Sequence, residues 1–135
     1  MFLLDTNACI HILNNSSPSL IAHLRACAVS DIHLCSVVKA ELLYGAYHST
    51  RVAENLRTLD RFFATFQSLA FDDTCVHHFG QIRHELARAG TPIGPYDLMI
   101  AAIALTHDLT LVTANTAEFA RIPGLRLENW EIDAA

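Results

Sequence analysis

The chain has 135 residues, 52% of them apolar and 17% charged, with 14 acids against 9 bases and a formal net charge of −5. That is ample apolar material for one core and too much for a disordered chain. The acidic balance argues against gripping a polyanion through a broad basic face.

The longest uncharged apolar run in the most hydrophobic region, Leu98 to Leu105, is too short to span a bilayer. The start, Met1-Phe2-Leu3-Leu4-Asp5, lacks the basic region of a secretory signal. Cys9, Cys27, Cys35 and Cys75 show no CxxC spacing, so reduced, mostly buried thiols and a cytoplasmic location are expected. Pro18, Pro92, Pro95 and Pro123 fall where periodic patterns stop, and residues 1–135 read as a single domain.

Phe2 to Leu4 predicts a buried strand, and Ala8 to Leu13 a short helix after Asp5-Thr6-Asn7. Ser17-Pro18 opens a second helix through about Val29, with Pro18 near its first turn. Ile32 to Cys35 reads as a strand, and Ser36 as the cap of a helix carrying Val37, Val38, Glu41, Leu42 and Gly45. A helix follows from about Val52 to Phe66, then a strand from Ser68 to Phe71. Asp72 or Asp73 opens a long helix that Gly90 closes. Gly94-Pro95 leads into an apolar helix from about Tyr96 to His107, and Leu109 to Thr113 is a fourth strand. Asn115 opens a short helix, and Leu125 to Trp130 holds the last strand.

Strands thus alternate with helices, and their apolar runs lack period-2 alternation. The fold class is α/β, a sandwich with a mainly parallel sheet covered on both faces. In such sheets ligands bind outside the carboxyl ends of the strands. Asp5 stands at the end of the first strand, and Glu41 lies in the helix after the second. Asp97 opens the helix before the fourth strand, Asn115 follows that strand by two residues, and Glu118 lies one turn later. Asp5, Asp97 and Asn115 could each be plain helix caps, and Glu118 a first-turn acid favoured by the helix dipole. Glu41 is harder to dismiss, because a charge in an apolar helical stretch needs a partner or a metal.

Several carboxylates held close repel one another unless a cation sits between them. All-oxygen donors select Mg²⁺ or Mn²⁺ over zinc. One or two such ions can activate water and neutralise a phosphodiester transition state. The acids therefore point to metal-dependent phosphodiester hydrolysis, with no protein nucleophile needed.

Five segments in order carry a family resemblance: Leu4-Asp5-Thr6-Asn7; Val38 to Gly45; Gly94 to Ala102; Leu111 to Asn115 with Glu118-Phe119; and Ile122 to Leu125 with Glu128-Asn129-Trp130. Over essentially its whole length the chain resembles PIN-domain ribonucleases, specifically VapC-type toxins of toxin–antitoxin pairs. The resemblance implies a three-layer α/β/α sandwich with a roughly five-stranded sheet. It implies Asp5, Glu41 and Asp97 as metal-binding acids, with Asn115 where the family has a fourth acid. Thr6, Asn7, Thr113 and Glu118 would support them. It further implies cleavage of RNA, often structured RNA such as tRNA, and neutralisation by a VapB-type antitoxin. A homodimer, and promoter DNA bound only through the antitoxin, complete that expectation. Rival readings are a catalytically weak interaction module on the same fold and a metal-dependent phosphatase of another α/β family. The second would need an acid where Asn7 stands.

Tyr44 and Tyr47, one turn apart near Glu41, are candidates for meeting a substrate or a dimer partner. Arg51 and Arg83 are candidates for flanking an RNA path, against the favoured reading of an ordinary solvated helix face. His77 and His84 share a helix face with Gln81 but lack zincin spacing, so a solvated face is the expectation. Asp5, Glu41 and Asp97 would account for three of the five excess negative charges. RNA binding is then expected to be weak without metal.

Overall fold

The computed structural model describes residues 1–132. Its elements are β1 (Phe2–Leu4), α1 (Thr6–Leu13), α2 (Pro18–Ala26), β2 (Ile32–Cys35), α3 (Ser36–Tyr47) and α4 (Val52–Thr65). They continue with β3 (Gln67–Leu69), α5 (Val76–Arg88), α6 (Pro95–Thr106), β4 (Thr110–Val112), α7 (Thr116–Phe119) and β5 (Leu127–Glu128). The five strands form one sheet in the order β3-β2-β1-β4-β5. Every pairing is parallel, with Leu4 opposite Val112 and Cys35 opposite Leu69 at the carboxyl edge. The α/β class and the parallel sheet of five strands match expectation.

The strand order reverses between β1 and β4. Parallel crossovers are right-handed, so helices feeding the two halves of the sheet fall on opposite faces, and a crevice opens where the winding turns. Asp5 leaves β1 at that point, its N–H bonded to the Val112 carbonyl at 3.1 Å. Thr113 leaves β4 beside it.

Double-sided cover explains the apolar runs. Leu3, Leu4, Leu34, Leu111 and Val112 are almost fully buried. In α6, Leu98 and every residue from Ile100 to Ala104 are buried as well. Trp130 closes the far edge, its ring edge-on to Phe2 at 4.9 Å and stacked on His23 at 5.4 Å. Among the described residues no helix is long and apolar enough to cross a membrane. Cys9, Cys35 and Cys75 are buried, Cys27 is half-buried, and all four are free thiols.

Element boundaries differ from expectation: α1 starts at Thr6 rather than Ala8, β3 covers Gln67–Leu69 rather than Ser68 to Phe71, and the last strand is only Leu127–Glu128. The second helix ends at Ala26, not near Val29, because Cys27 turns extended and Val29–Asp31 forms a separate 3-10 turn. Cys35, not Ser36, holds the cap position of α3. Ser36 is already helical, and its hydroxyl accepts the Phe71 N–H at 3.1 Å instead. The long helix starts at Val76 rather than at Asp72 or Asp73, because the Asp72 carboxylate accepts from the Thr74 N–H at 3.0 Å and forms a turn first.

Gly90 does close that helix. Its φ is 72°, the Gly90 N–H bonds to Ala87 O, and the Thr91 N–H reaches back to Leu86 O at 2.9 Å. An added Cβ would meet nothing within 4 Å, so the conformation alone demands glycine. Gly90→Ala is expected to destabilise the fold by about 1–2 kcal/mol, the cost of an L side chain in the left-handed region. Denaturant unfolding measures this, and an unchanged midpoint would refute it.

Candidate active site

The site is built where β1 and β4 end. Asp5 is only 6% exposed. It caps α1, its Oδ1 accepting the Ala8 N–H at 2.8 Å. Burial pushes its carboxyl above the ordinary range, against the opposing pull of the Thr113 hydroxyl and the Ala8 N–H. Thr113 is itself buried, and its Oγ1 accepts the Asn115 N–H at 3.0 Å. One threonine thus supports the turn after β4 and moderates the charge of Asp5.

Glu41 enters from α3 and is half-buried. Thr6, first residue of α1, donates its hydroxyl to Glu41 Oε1 at 2.7 Å across 35 residues of sequence. This contact meets part of the expectation that a carboxylate on an apolar stretch must be partnered. Asp97 lies in the first turn of α6, where Gly94 and not Asp97 is the cap residue. Its carboxyl is pushed up to about 6, first by burial and then by the charges of Glu118, Glu41 and Asp5. Four acids from four parts of the chain therefore share one electrostatic neighbourhood. The ion pairs among the described residues are His11–Glu131, Arg51–Glu54 and Arg126–Asp108, and none neutralises these four.

Asn115 is exposed and does not cap α7 through its side chain. Its amide instead donates to Glu118 Oε2 at 2.7 Å. Asn7 is exposed on α1. Tyr44 lines the same cleft as Glu41. Arg51 and Arg83 do not: Arg51 precedes α4 and pairs with Glu54, while Arg83 lies over the Phe79 ring on α5. His77 and His78 meet edge to face on α5. Sequence spacing gave no hint of His11 and Glu131, whose side chains meet across 120 residues. Both act on the charge of Asp5, in opposite directions.

Among the described residues no three Asp, Glu, His or Cys side chains stand close enough together to hold a metal ion as they are placed. The buried thiols are no substitute, since burial lifts Cys35 to about 11 and Cys9 well above its ordinary value. The donor chemistry of the acids nonetheless suits Mg²⁺ or Mn²⁺. Those ions take oxygen ligands, use only one or two carboxylates, and keep several waters, so an open acidic crevice fits them.

The chain matches the PIN domain family over residues 2–125. It is 43% identical over 129 residues to a tRNA(fMet)-specific endonuclease VapC of Salmonella typhimurium, covering 96% of this chain and 97% of that relative. It is 39% identical over 132 residues to ribonuclease VapC2 of Rickettsia felis, covering 97% of this chain and 98% of the relative. Its fold superposes with a TM-score of 0.89 on a chain of the Rickettsia felis VapBC2 complex bound to a promoter DNA fragment, at 38% identity and covering 96% of this chain and 98% of that one. Fold, order of motifs and full-length similarity agree: the chain belongs to the PIN domain family, among the VapC ribonucleases of toxin–antitoxin systems.

Proposed function

We propose that this chain, acting as one domain, is a divalent-metal-dependent endoribonuclease toxin that hydrolyses RNA phosphodiester bonds at the β1–β4 crevice. The observation that carries this reading is the uncompensated field on Asp97, whose carboxyl is held near 6 by burial and by Glu118, Glu41 and Asp5. Such a concentration of negative charge is costly to keep and becomes useful once a cation is shared.

Asp5, Glu41 and Asp97 would hold Mg²⁺ or Mn²⁺, which when bound offsets charge on the phosphodiester and makes water a better nucleophile. The chain's own polar groups fix the acids. Thr6 holds Glu41, Thr113 and the Ala8 N–H hold Asp5, and Asn115 holds Glu118. Fixed donors raise ligand precision, and losing such support typically costs about 10–100-fold. Asn7 flanks this group at the start of α1.

The substrate in this reading is a structured RNA of the tRNA class, as the name of the Salmonella typhimurium relative suggests. A VapB-type antitoxin is the partner, and promoter DNA is met through it, in keeping with the Rickettsia felis complex. The toxin works in the cytoplasm and pairs with a second copy of itself. Arg51 and Arg83 stand clear of the cleft and would touch only distant parts of an RNA.

The test is cleavage of a tRNA panel by purified chain with EDTA, Mg²⁺ or Mn²⁺. Cutting is expected only with metal, and the initiator tRNA is expected to be cut in preference to elongators. Cleavage that persists in EDTA would refute the metal role. Indifference among folded and unfolded RNAs would refute the substrate.

A further inference from the structure

Beside the acids lies a cleft of about 690 Å³. Ser36, Glu41 and Tyr44 of α3, Tyr96 and Met99 of α6, and Phe71 after β3 are among the residues lining it. Glu41 belongs to both cleft and acid group, so the two are continuous. Tyr96 is the immediate neighbour of Asp97.

Two of these rings are unusually open: Tyr44 is 66% exposed and Tyr96 59%. Large rings left in solvent at a concave site call for a ligand. His48, the residue capping the end of α3 one turn on, stacks on the Tyr44 ring at 5.5 Å and 11°. Ser36 adds a polar edge. Its oxygen accepts the Phe71 N–H at 3.1 Å, so the hydroxyl proton remains to be donated.

Charge selects the kind of occupant. Among the described residues Glu41 is the only charged one lining the cleft, and no lysine or arginine lines it. A run of phosphates is repelled there. A flat, uncharged ring with polar edges is favoured, and splayed-out RNA bases have that character. We propose that this cleft is a base-stacking subsite, with Tyr44 and Tyr96 as stacking faces for one or two unpaired bases next to the bond cut. The proposal rests on the ribonuclease reading above. The phosphate goes to the acid crevice, and the neighbouring base to the rings.

The test is steady-state cleavage of an RNA by the full chain, with variants Tyr44→Ala, Tyr96→Ala and Tyr44→Phe, each checked for folding by thermal melting. Stacking on an aromatic side chain is strong enough that losing one ring should raise KM about tenfold, with a smaller effect on kcat. Tyr44→Phe should recover most of the KM increase that Tyr44→Ala causes, because the ring and not the hydroxyl stacks. The second arm uses RNAs carrying one abasic site within two nucleotides of the bond cut. At the stacked position the parent should lose about tenfold in KM, and Tyr44→Ala should lose nothing further, the coupling expected of groups in contact. If both alanine variants cleave with parental KM, the subsite is overturned. It is equally overturned if abasic and alanine effects simply multiply, or if Tyr44→Ala weakens only antitoxin capture or self-association, which would make the cleft a protein-docking surface. A parent that cuts no RNA removes the ribonuclease reading itself, a distinct result.

Discussion

Asp97→Asn is expected to yield a protein that folds, is more stable than the parent without metal at neutral pH, and cleaves RNA at least about a hundredfold more slowly. The activity loss follows from removing one of three acids that would share the cation. The stability gain follows from the repulsion those acids impose on one another. The Asp97 carboxyl rises from 3.8 to about 6 in the fold, through burial first and then through Glu118, Glu41 and Asp5. A pKa raised by folding means that ionisation works against the fold. Below about pH 4 the group is protonated in both states and costs nothing. As pH climbs through 6 the parent loses that stability, and the asparagine variant does not. The full shift would correspond to about 3 kcal/mol, but the group is half-exposed, and solvent screening reduces the expected gain to about 1 kcal/mol. Denaturant midpoints at pH 4 and pH 7.5 measure this, with the variant ahead only at the higher value. Millimolar Mg²⁺ should then raise the parent's midpoint and leave the variant's nearly unchanged, because only a ligand that binds the folded state stabilises it. A variant less stable than the parent at pH 7.5 would refute the repulsion argument. Full activity would refute the site.

The same conflict between charge and burial explains why the acids stand out in the sequence at all. Glu41 sits between Ala40 and Leu42, in a stretch where solubility asks for no charge. Asp97 heads a helix whose next residues are buried. Such local contradictions are readable without a structure, because they pit composition against position. The strand ends were readable for a related reason: double-sided burial leaves unbroken apolar runs such as Leu3-Leu4 and Leu111-Val112, and an acid or threonine immediately after one marks its end. The contacts that finish the site left no such trace. Thr6 reaches Glu41, Ser36 receives Phe71, and His11 meets Glu131 only because the sheet brings distant segments together. No short-range spacing encodes those meetings. Ser36 shows the difference well. A serine before an apolar helix is ordinarily a cap. Here Cys35 completes β2 and takes the cap position itself, which releases the hydroxyl for a tertiary bond. The cleft is equally unwritten in local spacing: Tyr96 and Met99 reach Tyr44 through the packing of α3 against α6, and Phe71 arrives from the segment after β3.

Asp5 carries two duties that substitutions can separate. Its Oδ1 caps α1 through the Ala8 N–H, and its charge belongs to the acid group. Asparagine keeps an acceptor at the same place and ranks with aspartate as a cap, whereas alanine removes the acceptor and leaves a buried N–H unpaired. Asp5→Asn is therefore expected to match or exceed the parent's stability, since burial already disfavours the charged carboxyl. Asp5→Ala is expected to lose about 0.5–2 kcal/mol. Both should lose RNA cleavage by at least about a hundredfold, because neither carries the negative charge. The unfolding midpoints, in the order asparagine, parent, alanine, test the cap. The shared loss of cleavage tests the charge. Should asparagine and alanine prove equally unstable, the cap is not what anchors α1 to the end of β1. Should Asp5→Asn cleave like the parent, an oxygen acceptor suffices there, and the charge of the site must come from Glu41, Asp97 and Glu118 alone.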